Sequence, residues 1–501
     1  MPCVMSRSSR MRGETQLRGV GRTRGAAVGL IILFSACATR PPQVLTPKLV
    51  PPKFVGPATV AAPVWPTAGW WHAFGSPELS NLITLAQADN RDLAAAAARL
   101  REARAEVMIQ RAALFPQVDL EGEAIRAGVG TAAVQTGSQH VSTGNAFGLN
   151  LDGSYDLDVW GLERDNLRSA TEALKSSHFA QQAAALTVLA AVADGYFNVL
   201  ALREQISIAQ EDITAIEGIL GTIKLKVSAG TASHLDLAQE EAQLESVRAQ
   251  LPALEELELE ARVALAVLLG RPPESFDVQA RNCDGIRLPA VAVGLPAQLL
   301  LRRPDVAEAE ANLAAAHASL QAARAAFLPQ IALGGSDGFG STAVSTLLHG
   351  PSALWDAGAQ LVQTIFAGGK LVGQKDLAYA TQEELVADYQ AAVLNAYADV
   401  ETALGQVNHY AREEEHLRRE VDAAREAFGI SQLQYRQGVA DLLNVLQAQQ
   451  TLFRARAQLA QAKAARQQAL VHLYEALGGG WQELSRERTQ GLSTADRPAA
   501  R

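Results

Sequence analysis

The stretch Phe147-Gly148-Leu149-Asn150-Leu151-Asp152-Gly153-Ser154-Tyr155-Asp156-Leu157-Asp158-Val159 sets Phe147, Leu149, Leu151, Tyr155, Leu157 and Val159 against Asn150, Asp152, Ser154, Asp156 and Asp158. Successive side chains of a strand point to opposite faces, so this segment is a strand with one apolar and one wet side. That is the pattern of a barrel strand with lipid outside and water inside. Upstream, Val118, Leu120, Gly122 and Ala124 alternate in the same way with Gln117, Asp119, Glu121 and Glu123. Strands are therefore predicted at about 116–130 and 143–160. Their wet faces, with Asp119, Glu121, Glu123, Asp152, Asp156 and Asp158, make an acidic lumen that mildly favours cations.

The chain then repeats itself. Leu100–Leu120, ending Phe115-Pro116-Gln117, matches Leu313–Leu333, ending Leu328-Pro329-Gln330, and Gly230–Leu251 matches Gly438–Leu459. Two matches in the same order at nearly equal offsets mean an internal duplication, too long for a solenoid unit and suited to a pseudo-symmetric pair. The second half should thus carry strands at about 329–341 and 354–367, although alternation there is weak and the assignment leans on the repeat. Trp160 and Trp355, at predicted strand ends, suit interfacial anchors or packed tryptophans equally.

Behind the strands come proline-free segments, Leu162–Ala229 and Lys370–Gln437, each followed by a second helix. Unbroken, either one is roughly 100 Å long at ~1.5 Å per residue, several times the bilayer thickness, and must project into water. In the last helix Val445, Leu452, Leu459 and Leu473 recur every seven residues, interrupted by Arg466. The first half has Leu237, Leu244, Leu251 and Leu265, interrupted by Glu258, with a kink expected at Pro252. Alanines between the leucines specify close coiled-coil packing. About four strands cannot close a barrel, which needs ~8 or more, and an open edge in lipid strands its backbone groups. Two or more copies must share one barrel.

The N-terminus carries Arg7, Arg10, Arg12, Arg18, Arg22 and Arg24 before an apolar run from Ala26 to Ala36, which reads as a signal peptide over 1–36. Leu33-Phe34-Ser35-Ala36-Cys37 resembles a bacterial lipobox with Phe34 in place of the usual Leu; Cys37 is then lipidated, or free if the chain is simply secreted. Eight of the 20 prolines fall between Pro41 and Pro66, so 37–66 should be an extended tether. The repeats occupy 67–283 and 284–480, and 481–501 is a polar tail. No later segment has ~18 uninterrupted apolar residues, so a membrane crossing must use strands.

Composition excludes other classes. Without the six Arg and one Glu of residues 1–36 the formal charge falls from −9 to −14, the wrong sign for a nucleic-acid binder. Apolar residues at 48% with aromatics at 5% mean that Ala and Leu carry the hydrophobicity, as long closely packed helices require. The nine His are scattered, and Phe366-Ala367-Gly368-Gly369-Lys370 lacks the upstream glycine and following Ser/Thr of a phosphate loop, so no enzyme and no cofactor is expected. Beyond the signal region only Met108 remains, too few thioethers for a soft-metal ladder. Cys283 is left without a disulfide partner.

Trp70-Trp71-His72-Ala73-Phe74 with Pro77-Glu78-Leu79, then Asn90-Arg91-Asp92-Leu93, then Leu300-Leu301-Arg302-Arg303-Pro304-Asp305-Val306 resemble the outer-membrane factors, TolC-like ducts, and within them the NodT-type efflux lipoproteins. The resemblance spans about Trp70 to Gly478. It implies a mainly α homotrimer whose four strands per protomer form one transmembrane β-barrel, continuous with a long periplasmic α-helical barrel. It also implies a passive exit duct for drugs or other small molecules in the outer membrane of a Gram-negative bacterium. The implied partners are a periplasmic adaptor (membrane fusion protein), an inner-membrane RND transporter and outer-membrane lipid. The adaptor-docking tips would be Gly230 and Gly438, and the periplasmic gate Asp236, Tyr435, Leu443, Asn444 and Gln447. Asn444 and Gln447 stand where relatives often place aspartates, so closure should rest on the apolar Leu443, which gates by dewetting. The competing reading is a periplasmic coiled-coil lipoprotein or adaptor that never makes a pore.

Overall fold

The computed structural model describes Phe54 and residues 65–132, 139–289 and 296–479. The predicted signal peptide, Cys37, most of the tether and the tail lie outside these residues. All the described residues belong to one compact unit, Leu45–Arg501; the other, Met1–Val44, contains none of them.

In chain order come α1 (Pro77–Asp89), α2 (Arg91–Ala112), β1 (Gln117–Ala132), β2 (Gln139–Leu157), α3 (Leu162–Ser228) and α4 (His234–Leu268). The second half runs through a short α5 (Pro296–Leu299), α6 (Pro304–Ala325), β3 (Gln330–Ser341), β4 (Ala353–Val362), α7 (Lys370–Arg436) and α8 (Leu442–Ala476). Both long helices, α3 and α7, have 67 residues, and both partners, α4 and α8, have 35. Pro252 lies within α4, which continues through it.

The four strands form one antiparallel sheet in the order β1-β2-β3-β4. Its register keeps like faces together: Leu120 pairs with Leu151, Gly122 with Leu149 and Ala124 with Phe147, while Asp119 pairs with Asp152 and Glu121 with Asn150. β2 ends at Leu157 and β4 at Val362, shorter than predicted at those ends. Local hydrogen bonding explains both exits. The Trp160 indole N–H donates to the Pro329 carbonyl at 2.6 Å, and the Gln363 amide donates to the Phe327 carbonyl at 3.1 Å. Among the described residues of a single protomer the outer edges of β1 and β4 have no neighbouring strand, and every β4 residue is exposed.

The main core sits at the level of α1. Trp70 stacks on Tyr474 with ring centroids 5.2 Å apart, and Phe74, Leu79, Ile83, Phe197, Leu200, Leu269 and Val471 close around them. The tightest junctions are duplicated. Asn90 caps α2 by accepting from Leu93 N at 2.9 Å and donates to the Leu268 carbonyl at 2.8 Å, tying α2 to the end of α4. In the second half Arg303 holds Asp305 at 2.6 Å and Asp399 at 2.9 Å and donates to the Ala476 carbonyl at 3.3 Å, tying α6 to α7 and the end of α8. Both junctions need glycine: a Cβ on Gly270 would lie 2.3 Å from the Asp89 carbonyl oxygen, and one on Gly478 would lie 2.0 Å from that of Arg302.

Part of α3 is long and apolar enough by composition to cross a bilayer, but most of that stretch is buried within the protein. Its hydrophobicity serves the core, since α3 packs against α2, α4, α6 and α8.

Candidate functional site

Two places bear on transport: the wet face of the sheet and the far ends of the two helical hairpins. On the sheet, Asp119, Asp152, Ser336 and Asp356 occupy one row across all four strands. The Ser336 hydroxyl donates to Asp356. Glu121 and Glu123 lie further along the same face of β1, and Asp156 pairs with Ala332. Asp158 lies one residue beyond β2, where it accepts from the Arg164 backbone N–H at 3.0 Å and its guanidinium Nε at 2.9 Å. Asp356 belongs to this acidic row although β4 alternates too weakly to reveal it; only the pairing register exposes it. The same register puts Asp337 between Leu151 and Trp355 on the opposite, apolar face.

At the hairpin ends both long helices stop in the same way. Gly230 has φ +72° and Gly438 has φ +75°, a left-handed conformation costly for any residue with a Cβ. Thr231 N donates to the Lys226 carbonyl at 2.8 Å and Val439 N to that of Gln434 at 2.9 Å, the Schellman closure that satisfies terminal carbonyls. The next helices start differently. Ser233 accepts from Asp236 N at 3.0 Å while Asp236 accepts from Ser233 N at 3.1 Å, a complete capping box. Asp441, the matching cap of α8, makes no side-chain capping bond.

Tyr435 is the pivot between the hairpins. Its ring lies beneath Lys226 Nζ, 4.1 Å from the centroid, and Lys226 also donates to the Tyr435 carbonyl at 3.0 Å. The ring is buried with Ile219, Ile223, Leu442, Val445 and Leu446. Burial, then the charges of Asp236 and Glu240, push the Tyr435 phenol up. Asp236 thus lies close to Tyr435, while its own hydrogen bonds are local. On α8, Leu443 is 54% exposed, and Asn444 and Gln447 share its open side, opposite the buried Leu442, Val445 and Leu446. Lys226 and Glu240 escaped the sequence reading. Lys226 lies in the last turn of α3, where a cation ordinarily only complements the helix dipole, and Glu240 lies inside α4, where a charge ordinarily marks a solvated face.

The residues that interrupt the heptad seams also find their reason. Glu258 pairs with Arg203 at 2.8 Å, and Arg466 pairs with Glu414 at 2.9 Å. Each is a cross-helix ion pair within its own hairpin. A cleft of about 820 Å³ beside the first pair is lined by Glu204, Glu211, Asp277, Arg456 and Lys463, so its walls are mostly neutralised charge. Among the described residues no group of three His, Cys, Asp or Glu side chains could hold a metal ion. Burial pushes the Cys283 thiol up to about 12, which keeps it protonated and inert.

A four-stranded sheet with wet and dry faces, unpaired at both outer edges among the described residues and mounted on helices that outrun any membrane, defines an outer-membrane channel protomer. The chain belongs to the outer membrane efflux protein family, whose model matches it over residues 82–271 and 295–479, one segment in each half. The pyoverdine export outer membrane protein OpmQ of Pseudomonas aeruginosa is 37% identical over 472 residues, covering 94% of this chain and 98% of that protein. Among solved structures, the Campylobacter jejuni CmeC outer membrane channel superposes with a TM-score of 0.79 at 25% identity, covering 85% of this chain and 92% of that one. The open state of the Neisseria gonorrhoeae MtrE outer membrane channel gives 0.78 at 28%, covering 86% and 96%. The protein is therefore an exit channel of efflux pumps, not an enzyme. It is mainly α, with the TolC-like trimeric architecture, and sits in the Gram-negative outer membrane, extending into the periplasm. The non-pore adaptor reading is set aside on this evidence.

Proposed function

We propose that this channel is a lipid-anchored duct through which a periplasmic adaptor and an inner-membrane RND transporter expel drugs or other small organic molecules, and that it is gated at its hairpin ends. The observation that carries the reading is the joining of a sheet with an acidic wet face to paired helices that end in matched glycine turns. Gly230 and Gly438 present these turns to an adaptor. Leu443 supplies the apolar constriction, with Asn444 and Gln447 beside it, and Asp236 and Tyr435 hold the ends together. Asp119, Glu121, Glu123, Asp152 and Asp156, with Asp356, favour cations in the lumen.

Lipidation of Cys37 is compatible with the tether's reach. Phe54 is buried against Tyr397, with ring centroids 6.5 Å apart. Tyr397 lies 27 residues, ~40 Å at 1.5 Å per residue, beyond the start of α7. The 17 residues from Cys37 to Phe54 span up to ~60 Å when extended, enough to return to the membrane end of α7.

Planar-bilayer recording tests the duct: the purified trimer should conduct poorly when closed, and Leu443→Ser should raise conductance severalfold. A Leu443→Ser trimer as silent as the parent would refute the gate, and reversal potentials showing anion preference would refute the acidic lumen. Mass spectrometry of the mature N-terminus decides whether Cys37 carries acyl chains. Cysteines placed at Thr231 and Val439 should crosslink to the adaptor co-expressed with the channel.

A further inference from the structure

The hairpin end buries a carboxyl with no partner. Glu240 is 0% exposed, and neither carboxyl oxygen has a hydrogen-bond partner. It lies on α4 between Leu237 and Leu244, whose side chains pack on Ile216 and Leu220 of α3. The Tyr435 hydroxyl nearby is also buried without a partner. A buried unpaired carboxylate is costly, whereas a buried protonated carboxyl is tolerated.

We infer that Glu240 is a gating residue: protonated, it lets α4 pack into the closed tip, and ionised, it drives the seam apart and opens the periplasmic entrance. The inference rests on the tip being the gate.

Among the described residues the tip, as packed, offers no free cation beside the charged form. From α3 the nearby cation is Lys226, but the Tyr435 ring and carbonyl already hold it, and Lys224 pairs with Glu241 at 3.5 Å. From α7 comes Tyr435, from α4 itself Asp236, and the α8 residues packed with Tyr435 are Leu442, Val445 and Leu446, none of which titrates. Burial pushes the Glu240 carboxyl up to about 7. The closed tip is therefore favoured below neutrality and lost as pH rises through it. Opening would admit water to the carboxylate, and the nearby Tyr435 hydroxyl, itself without a partner, is a donor at hand for the ionised form.

The test is single-channel recording of the full-length trimer with the pH stepped on the helical side only. The parent channel should show an open fraction rising about tenfold between about pH 6 and about pH 8, as one group titrating near neutrality dictates. Glu240→Gln, which mimics the protonated acid, should stay at the low-pH level throughout. Tyr435→Phe removes the hydroxyl that stabilises the ionised form and should move the midpoint to higher pH. If Glu240→Gln keeps the parent's pH profile, the inference is overturned. Should that variant not assemble, an unchanged midpoint in Tyr435→Phe overturns it equally. Leu443→Ser separates the two ideas: if it raises conductance at every pH while Glu240→Gln has no effect, the gate stands and the proton switch falls. If it raises nothing, the gate reading itself has failed.

Discussion

The α3–α4 and α7–α8 hairpins come from one duplicated unit, with equal lengths and the same glycine closure, yet they handle buried charge in opposite ways. In the first, Arg203 on the long helix meets Glu258 on the short one; in the second, Glu414 on the long helix meets Arg466 on the short one. Both seam positions hold a cross-helix ion pair, with the polarity reversed between them. Elsewhere they diverge more sharply. The first hairpin buries Asp212 and Glu240 with unpaired carboxyl oxygens. The second buries Gln449 and Gln467, which are neutral, and Glu414, which two arginines hold. A neutral amide cannot respond to pH; among the described residues the buried carboxyls left without a hydrogen-bond partner, Asp212 and Glu240, lie on the α3–α4 side.

The largest expected effect tests whether the two halves are locked alike. Gly478→Ala and Gly270→Ala each drive a methyl into a carbonyl and should cost more than about 4 kcal/mol, read as loss of the heat-resistant trimer. Gly230→Ala and Gly438→Ala have the same backbone sign but nothing within 4 Å, so only the left-handed strain of ~1–2 kcal/mol remains. Equal losses at all four sites would show that backbone strain, not close approach, governs both ends.

Next in size are the seam pairs. Arg466→Met leaves buried Glu414 with Arg418 alone and should cost about 2–3 kcal/mol by thermal denaturation. Arg203→Met should cost about 1 kcal/mol more, because Arg203 also donates to the Val278 and Ala280 carbonyls and pairs with Asp277. A smaller loss at Arg203 would break the claim that the pairs are equivalent in role and unequal in anchoring.

The pH response sharpens the contrast further. Burial first, with the Glu211 charge adding, pushes the Asp212 carboxyl up to about 8 against the opposing pull of Arg456. The folded state then holds a proton that the unfolded chain releases near its ordinary value, so this stability is full below about pH 4 and drains away as pH rises through about 8. Asp212→Asn should raise the melting temperature at pH 8 and flatten its fall between pH 5 and 8, while Gln449→Ala should leave that slope unchanged. The smallest effect lies at the caps: Ser233→Ala should cost ~1 kcal/mol by breaking its capping box, and Asp441→Ala only a few tenths.

The strand alternation at 147–159, the duplication, the two long helices and the glycine tips were legible because each writes a local period or a local backbone requirement into the chain. Arg466 and Glu258 were visible as interruptions, but their partners were not, since those lie on another helix at a distance in sequence set only by hairpin register. Asp158 continues the alternation and so reads as lumenal, but its carboxylate is captured by Arg164 just past the strand end. The string around Arg303 was recognisable without its purpose being so: it clasps α6, α7 and α8.

By itself the sequence determined what periodicity can encode: two wet-and-dry strands in the first half and, through the repeat, two in the second, with one long helix and a shorter partner in each half. Those strands are too few to seal a barrel alone, hence a shared channel. Tertiary structure alone decided which charges are neutralised and which are stranded. A carboxylate's fate depends on neighbours brought together from distant segments. The same functional group thus becomes a salt bridge at Glu258, a capping group at Asp236 and an unpaired buried acid at Glu240.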